Sequence, residues 1–259
     1  MKPQVICLPG GVAPAAQRYA PLIAAVGADA ELHLKDLEVY QDASPPADYS
    51  VDLELRGIDK FAASLGLDRF HLVGYSGGGF ISLAYAGTRR ERLLSLGLFE
   101  PAMVPGQLTA EEESNMATLK AKLDGLTGPE FMEAFVREQV KPGVQLPPMS
   151  GPFPPEMQNR PAGIAAMMRA FLAFKFDRAS LRACGFPVYL GYGDLTHEAA
   201  VEAGVLARLF GDIRIQRYPD IHHFVPPDQI YTPVHAKSLE ELWHRAEAAS
   251  LAPQPSLQN

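Results

Sequence analysis

The stretch Gly74-Tyr75-Ser76-Gly77-Gly78 constrains the fold of this chain more than any other. It reads G-x-S-x-G. Before it stands a short apolar run with strand character, Arg69-Phe70-His71-Leu72-Val73, and after it residues 79–86 suit a buried helix. A strand that turns so sharply into a helix needs glycine on both sides, because backbone must approach backbone. The apex residue is held in a strained conformation, with its hydroxyl pushed out above the sheet edge. A serine hydroxyl is a poor nucleophile until geometry and a base activate it. The bare pattern is weak in a chain with 22 glycines, and its strand-turn-helix setting is what gives it meaning. The competing reading is a phosphate cradle. No lysine follows Gly78 or Gly79, which argues against a P-loop.

The flanking pattern predicts the sheet. Residues 4–8 form a continuous apolar run, as in a buried parallel strand, and Pro9-Gly10-Gly11 breaks it. Residues 15–26 read as a helix ending at Gly27. In 30–39, Leu32, Leu34, Leu37 and Val39 are spaced as in a strand, and 43–47 is loop. Residues 51–65 read as a helix with Leu55, Ile58, Phe61 and Leu65 on its apolar face. Residues 93–99 form another apolar strand, stopped by Glu100-Pro101. The order β-α-β-α-β-α-β implies a parallel sheet with helices on both faces. The pattern resumes near residue 177. Asp177 opens a short helix to 183, then come a strand over 186–192, a helix over 198–210 and a strand over 212–218. Thr232-Pro233 opens a final helix to about residue 249, and the tail 251–259 is expected to fray.

Between the two blocks the composition changes. Thr109-x-x-Glu112 and Thr127-x-x-Glu130 are capping-box patterns. Residues 142–161 hold seven prolines and are expected to be irregular. Residues 164–176 read as a helix carrying Met167, Met168, Phe171, Phe174 and Phe176. The expected architecture is α/β: a mostly parallel, doubly wound sheet of about six strands with an inserted helical cap. The core would comprise residues 1–101 and 177–250, and the cap 102–176. Most of a Met/Phe stripe is ordinary packing, yet a cap also needs an apolar underside that lines a pocket.

A net charge of −7 argues against nucleic acid as the main partner, since phosphates need a basic face. No apolar run reaches membrane-spanning length. The start, Met1-Lys2-Pro3-Gln4-Val5, runs straight into strand-like sequence without a leader, so a cytoplasmic location is expected. Cys7 and Cys184 lie in or beside apolar strand-like segments and read as buried reduced thiols. No Cys/His spacing suggests zinc, and neither a metal nor another cofactor is expected. The expected partner is a small-molecule substrate, bound by a monomer or a homodimer.

In open parallel sheets, ligands bind outside the carboxyl ends of the strands, so the polar residues there matter most. After the first strand, Gly11 can aim a backbone N–H at a developing oxyanion, with Gly77 as the second donor. Each such donor contributes roughly 3–4 kcal/mol to the tetrahedral intermediate. After the last strand comes Asp220-Ile221-His222-His223-Phe224-Val225-Pro226. A general base facing Ser76 belongs on this loop, and the order Ser…acid…His fits. Either His223 or His222 can serve, and His223 is preferred because the Phe224-x-Pro226 after it resembles the His-Phe-x-Pro found at this point in many serine hydrolases. The acid that orients the imidazole is either Glu100 or Asp194. Glu100 is preferred, because a charge closing the apolar strand 93–99 is costly to bury unpaired. Tyr75, Val12, Met103, Met167, Met168 and Phe171 are candidate substrate contacts, with His197 near the mouth. His71 reads as a strand residue, and His33, His235 and His244 as exposed.

These residues together resemble the α/β-hydrolase superfamily over nearly the full chain. The resemblance rests on Pro9-Gly10-Gly11, Gly74-Tyr75-Ser76-Gly77-Gly78 and His223-Phe224-x-Pro226. The two leading antiparallel strands of that superfamily are missing. Its usual acid position falls on Thr196, two residues beyond Asp194. Phe99-Glu100-Pro101 looks like the strand-end acid of capped members such as zearalenone lactone hydrolases and Glu-using haloalkane dehalogenases. The dehalogenases need Asp at the elbow, where this chain has Ser76. The resemblance implies a serine hydrolase of an ester or lactone. Ligand receptors and lyases of the same architecture are the alternatives it leaves.

Overall fold

The computed structural model describes residues 2–146 and 157–251. Six strands form one sheet: β1 Gln4–Leu8, β2 Glu31–Leu34, β3 Phe70–Ser76, β4 Leu93–Pro101, β5 Val188–Gly193 and β6 Ile213–Tyr218. Their order is β2-β1-β3-β4-β5-β6, and every neighbouring pair is parallel. Such a sheet must be covered on both faces, because parallel strands bury both sides. Helices α1 Ala15–Val26, α9 Pro227–Ile230 and α10 Pro233–Leu251 pack on one face around Tyr19, Leu22, Tyr231 and Trp243. Helices α2 Val51–Ser64, α3 Gly77–Thr88 and α8 Ala199–Leu209 pack on the other, around Leu55, Ile58, Phe80 and Leu206. The strand order reverses between β1 and β3, which places the β1 and β3 loops side by side at the sheet's carboxyl edge.

The chain between β4 and β5 forms α4 Ala110–Leu123, α5 Gly128–Glu138, α6 Arg160–Ala173 and α7 Ala179–Arg182. Arg178 ties the start of this segment down. Its guanidinium donates to both Glu112 carboxylate oxygens (3.0 and 2.9 Å) and to the carbonyls of Val104 and Pro105. Residues 139–141 run antiparallel to 195–197, with Lys141 N–H donating to Leu195 and His197 N–H to Gln139.

Four local expectations fail. Leu37 and Val39 are buried, but β2 ends at Leu34 and a 3₁₀ turn spans Glu38–Tyr40. The Glu54 carboxylate accepts the N–H groups of Glu38 and Val39 (2.9 and 3.2 Å), which replaces a strand ladder that Pro9 cannot continue. The Thr109 capping box forms, but the Thr127 side chain caps nothing, and Pro129 stands in that helix's first turn. Helix α6 starts earlier, at Arg160, because Pro161 is tolerated in a first turn, and it stops at Ala173, short of Phe174 and Phe176. The proline-rich expectation over 147–156 and the fraying tail beyond 251 lie outside the described residues.

His235 corrects a fourth expectation. It is 2% exposed, stacked on Tyr218 at 3.8 Å, and neither ring nitrogen has a hydrogen-bond partner among the described residues. Burial pushes its pKa down to about 3. His71 is also buried, and burial pulls it down to about 4 against the pull of Glu247. A histidine with a depressed folded pKa binds its proton more readily when unfolded. The stability it allows is therefore complete above about pH 6.5 and falls as pH drops toward the folded value. At about pH 5, His235 alone is expected to cost about 2 kcal/mol. His235→Phe keeps an aromatic ring in the slot. Urea unfolding of this variant and the wild type should diverge in its favour by about that amount between roughly pH 7.5 and pH 5. An unchanged difference would remove His235 as an acid-labile element.

Candidate active site

Ser76 ends β3 with φ 54° and ψ −120°, a strained conformation for a residue with a Cβ. The surroundings enforce it. A Cβ on Gly74 would come within 2.4 Å of the Ser82 hydroxyl and 2.6 Å of the Gly78 carbonyl, and one on Gly78 within 2.4 Å of the Pro9 carbonyl. Both glycines are therefore required by close packing of β1, β3 and α3. Gly78 N–H donates to the Pro9 carbonyl at 3.0 Å, which fastens the loop after β1 to the turn.

Glu100 is placed by a β-bulge. Tyr75 pairs with Phe99 and Ser76 with Pro101, so Glu100 is an extra residue in β4, with φ 40°. A bulge re-aims a side chain that would otherwise follow the pleat. Here it directs a carboxylate that is only 2% exposed toward the loop after β6. One oxygen accepts from His223 Nδ1 at 2.7 Å. The other accepts from Gly193 N–H at 2.6 Å and from the Thr196 hydroxyl at 2.8 Å. His223 Nε2 stands 2.8 Å from Ser76 Oγ. Ser76, His223 and Glu100 thus form one unbroken chain of hydrogen bonds, drawn from three different strand ends.

The other candidates fall elsewhere. Asp194 accepts the N–H of Asp220 at 2.9 Å and so braces the turn into the histidine loop, where Asp220 has φ 59°. His222 accepts the Phe224 N–H at 3.1 Å through Nδ1, and burial pulls its pKa down. His197 is exposed and pairs with Glu198. Gly77 opens α3, so its N–H has no acceptor within the helix. The Gly11 nitrogen lies 3.9 Å from where a Gly77 Cβ would sit, so the two residues are neighbours beside Ser76. The Tyr40 hydroxyl donates to the Gly11 carbonyl at 2.8 Å and fixes that peptide. Tyr40 and Thr196 have supporting places that no local motif announces.

A cavity of about 340 Å³ opens on Ser76 and His223. Val12, Met103, Ile164, Met167, Met168 and Phe171 line it. Tyr75 does not. It is buried on the opposite face of the sheet, its ring stacks on His223 at 5.1 Å, and its hydroxyl donates to the His223 carbonyl. The expectation of a substrate contact there fails because β3 alternates its side chains, which turns Tyr75 away from the helical segment above. The far wall carries Glu112, Glu138, Glu198 and Glu202. Glu112 is offset by Arg178 and Glu138 by Lys122. Burial, then the nearby Glu100, raises the Glu202 pKa well above the carboxylate range and favours its neutral acid. Among the described residues no His/Cys/Asp/Glu cluster is arranged to hold a metal ion, and no helix is long and apolar enough to cross a membrane.

A family model described as the alpha/beta hydrolase fold matches residues 3–224. The chain belongs to that family. A search of the curated proteins found no match. Among solved structures, a thermophilic esterase from Thermogutta terrifontis superposes with a TM-score of 0.69 at 16% identity, covering 95% of this chain and 91% of the other. A carboxylesterase from Bacillus subtilis gives 0.65 at 19% identity, covering 93% and 83%. A haloalkane dehalogenase variant from Bradyrhizobium elkanii gives 0.68 at 18% identity, covering 96% and 91%. At these identities the likeness is one of fold.

Proposed function

We propose that this protein is a serine hydrolase that cleaves a carboxylic ester or lactone through an acyl-enzyme. The observation that carries the reading is the continuous Ser76–His223–Glu100 chain at the floor of a largely apolar cavity. A carboxylate accepts hydrogen bonds and does not donate them, so the neutral imidazole carries its proton on Nδ1 and leaves Nε2 free to accept the Ser76 proton. Ser76 Oγ attacks the substrate carbonyl as that proton passes to His223. The backbone N–H groups of Gly11 and Gly77 receive the oxyanion. The tetrahedral intermediate collapses, and His223 returns the proton to the departing alkoxide. His223 then takes a proton from water, whose oxygen attacks the acyl-enzyme carbonyl, and as this second intermediate collapses the proton passes to Ser76 Oγ and the acid is released. No metal or nucleotide has a part in this sequence. Asp194 is a structural brace in this account. Helices α4, α5 and α6 act as the cap that supplies the apolar roof.

The cavity also sets a charge preference. Glu198 lacks a Lys or Arg partner among the described residues, and Glu100 lines the same cavity. A substrate carboxylate would be desolvated beside these acids. Short uncharged p-nitrophenyl esters are expected to turn over with kcat/KM at least about tenfold above that of a matched ester ending in a carboxylate, a difference of about 1.4 kcal/mol. Steady-state rates on the matched pair check this. Inertness of the folded protein toward the whole ester panel would favour a binding role over a hydrolytic one.

A further inference from the structure

A buried cation stands behind His223, outside the cavity. Arg18 of α1 is 6% exposed, and its guanidinium carbon lies 4.1 Å from the centroid of the Tyr75 ring. Its Nε and Nη1 have no hydrogen-bond partner, and no carboxylate pairs with it among the described residues. A guanidinium buried without a counter-ion is expensive, and the electron-rich ring face offsets only part of that cost. A chain tolerates such a group where it does something else. The same Tyr75 ring stacks on His223 with 22° between planes, and its hydroxyl donates to the His223 carbonyl. A cation over a phenol withdraws electron density and makes the O–H a stronger donor. Arg18 therefore reaches His223 through Tyr75, by the ring that stacks on the imidazole and by the hydrogen bond that pins its backbone.

We propose that Arg18 is a positioning residue for the hydrolysis described above: acting through Tyr75, it pins the His223 loop against Ser76. This rests on the serine-hydrolase reading for its purpose, though not for its physics. The groups facing His223 are Glu100 from β4 and Ser76 and Tyr75 from β3, with His222 beside it in the chain. Those near Arg18 besides Tyr75 are Tyr19 of α1 and Tyr231 after α9, both phenols that burial keeps neutral.

The test compares wild type, R18M and R18K by steady-state kinetics and by the NMR ring-proton shifts of the His223 imidazole at one fixed pH, which need no turnover. R18M is expected to lower kcat several-fold with KM nearly unchanged, and to move the His223 ring-proton shifts as the Tyr75 ring loses its hold on the loop. R18K, which keeps a cation over the ring, should restore most of kcat and hold those shifts near the wild-type values. A lower melting temperature in R18M with kcat and ring shifts unchanged would make Arg18 purely structural and overturn the proposal. So would R18K losing as much kcat as R18M. If R18M does not fold, R18Q carries the same comparison. Should wild type prove inert toward esters while the ring shifts still move in R18M, the hydrolase reading fails and the Arg18–His223 coupling stands.

Discussion

Glu100→Gln is expected to lower kcat by roughly 10³–10⁴-fold, with KM close to wild type. The amide has nearly the shape of the carboxylate, so the bulge and the packing survive. What changes is the direction of donation. A glutamine that turns its N–H₂ toward His223 Nδ1 forces the imidazole proton onto Nε2, where it can no longer take the Ser76 proton. Glutamine also cannot stabilise the imidazolium that forms as Ser76 attacks. Asp194→Asn makes the contrast. Among the described residues the Asp194 side chain bonds the backbone N–H of Asp220 alone, which an asparagine oxygen accepts equally well, so the rate should stay within about threefold of wild type. Steady-state kinetics on one activated ester, with circular dichroism to confirm folding, decide between the two carboxylates. A large loss in Asp194→Asn alone would reverse the assignment.

The sheet was legible because its signals are local. Short apolar runs alternate with helical periods, and that alternation admits little besides a parallel sheet. Ser76 and His223 stand out for the same reason: one lies at a glycine-flanked strand end, the other in a His-Phe-x-Pro loop. Glu100 could be singled out as a charge closing an apolar strand. The bulge that aims it could not, because a bulge is a property of pairing between β3 and β4. Residues 37–39 mimic a strand in spacing, and only the distant Glu54 turns them into a 3₁₀ turn. His235 looked like a helix-surface residue until Tyr218 and Phe99 closed over it. Arg18 carried no local mark at all. Its meaning comes from Tyr75, which is 57 residues away in sequence (75 − 18).

Ser76→Ala is expected to remove turnover almost entirely, by roughly 10⁴–10⁶-fold in kcat. Among the described residues no other group in the cavity offers an oxygen to the carbonyl with a base 2.8 Å behind it. The methyl side chain fits the space of the hydroxymethyl and keeps the same strained backbone, so melting temperature should change little. Substrate binding should survive, because the apolar walls formed by Met167, Met168 and Phe171 are untouched. The residual rate reports what the oxyanion donors and the walls achieve without a nucleophile.

The most direct test is covalent. The folded protein is incubated with a fluorophosphonate, and the adduct is located by peptide mass spectrometry. The phosphonyl group should be found on Ser76, should be absent from Ser76→Ala, and should form far more slowly in His223→Ala. A folded wild-type protein that takes up no label, or a label that persists in Ser76→Ala, would contradict a reactive serine at the floor of this cavity.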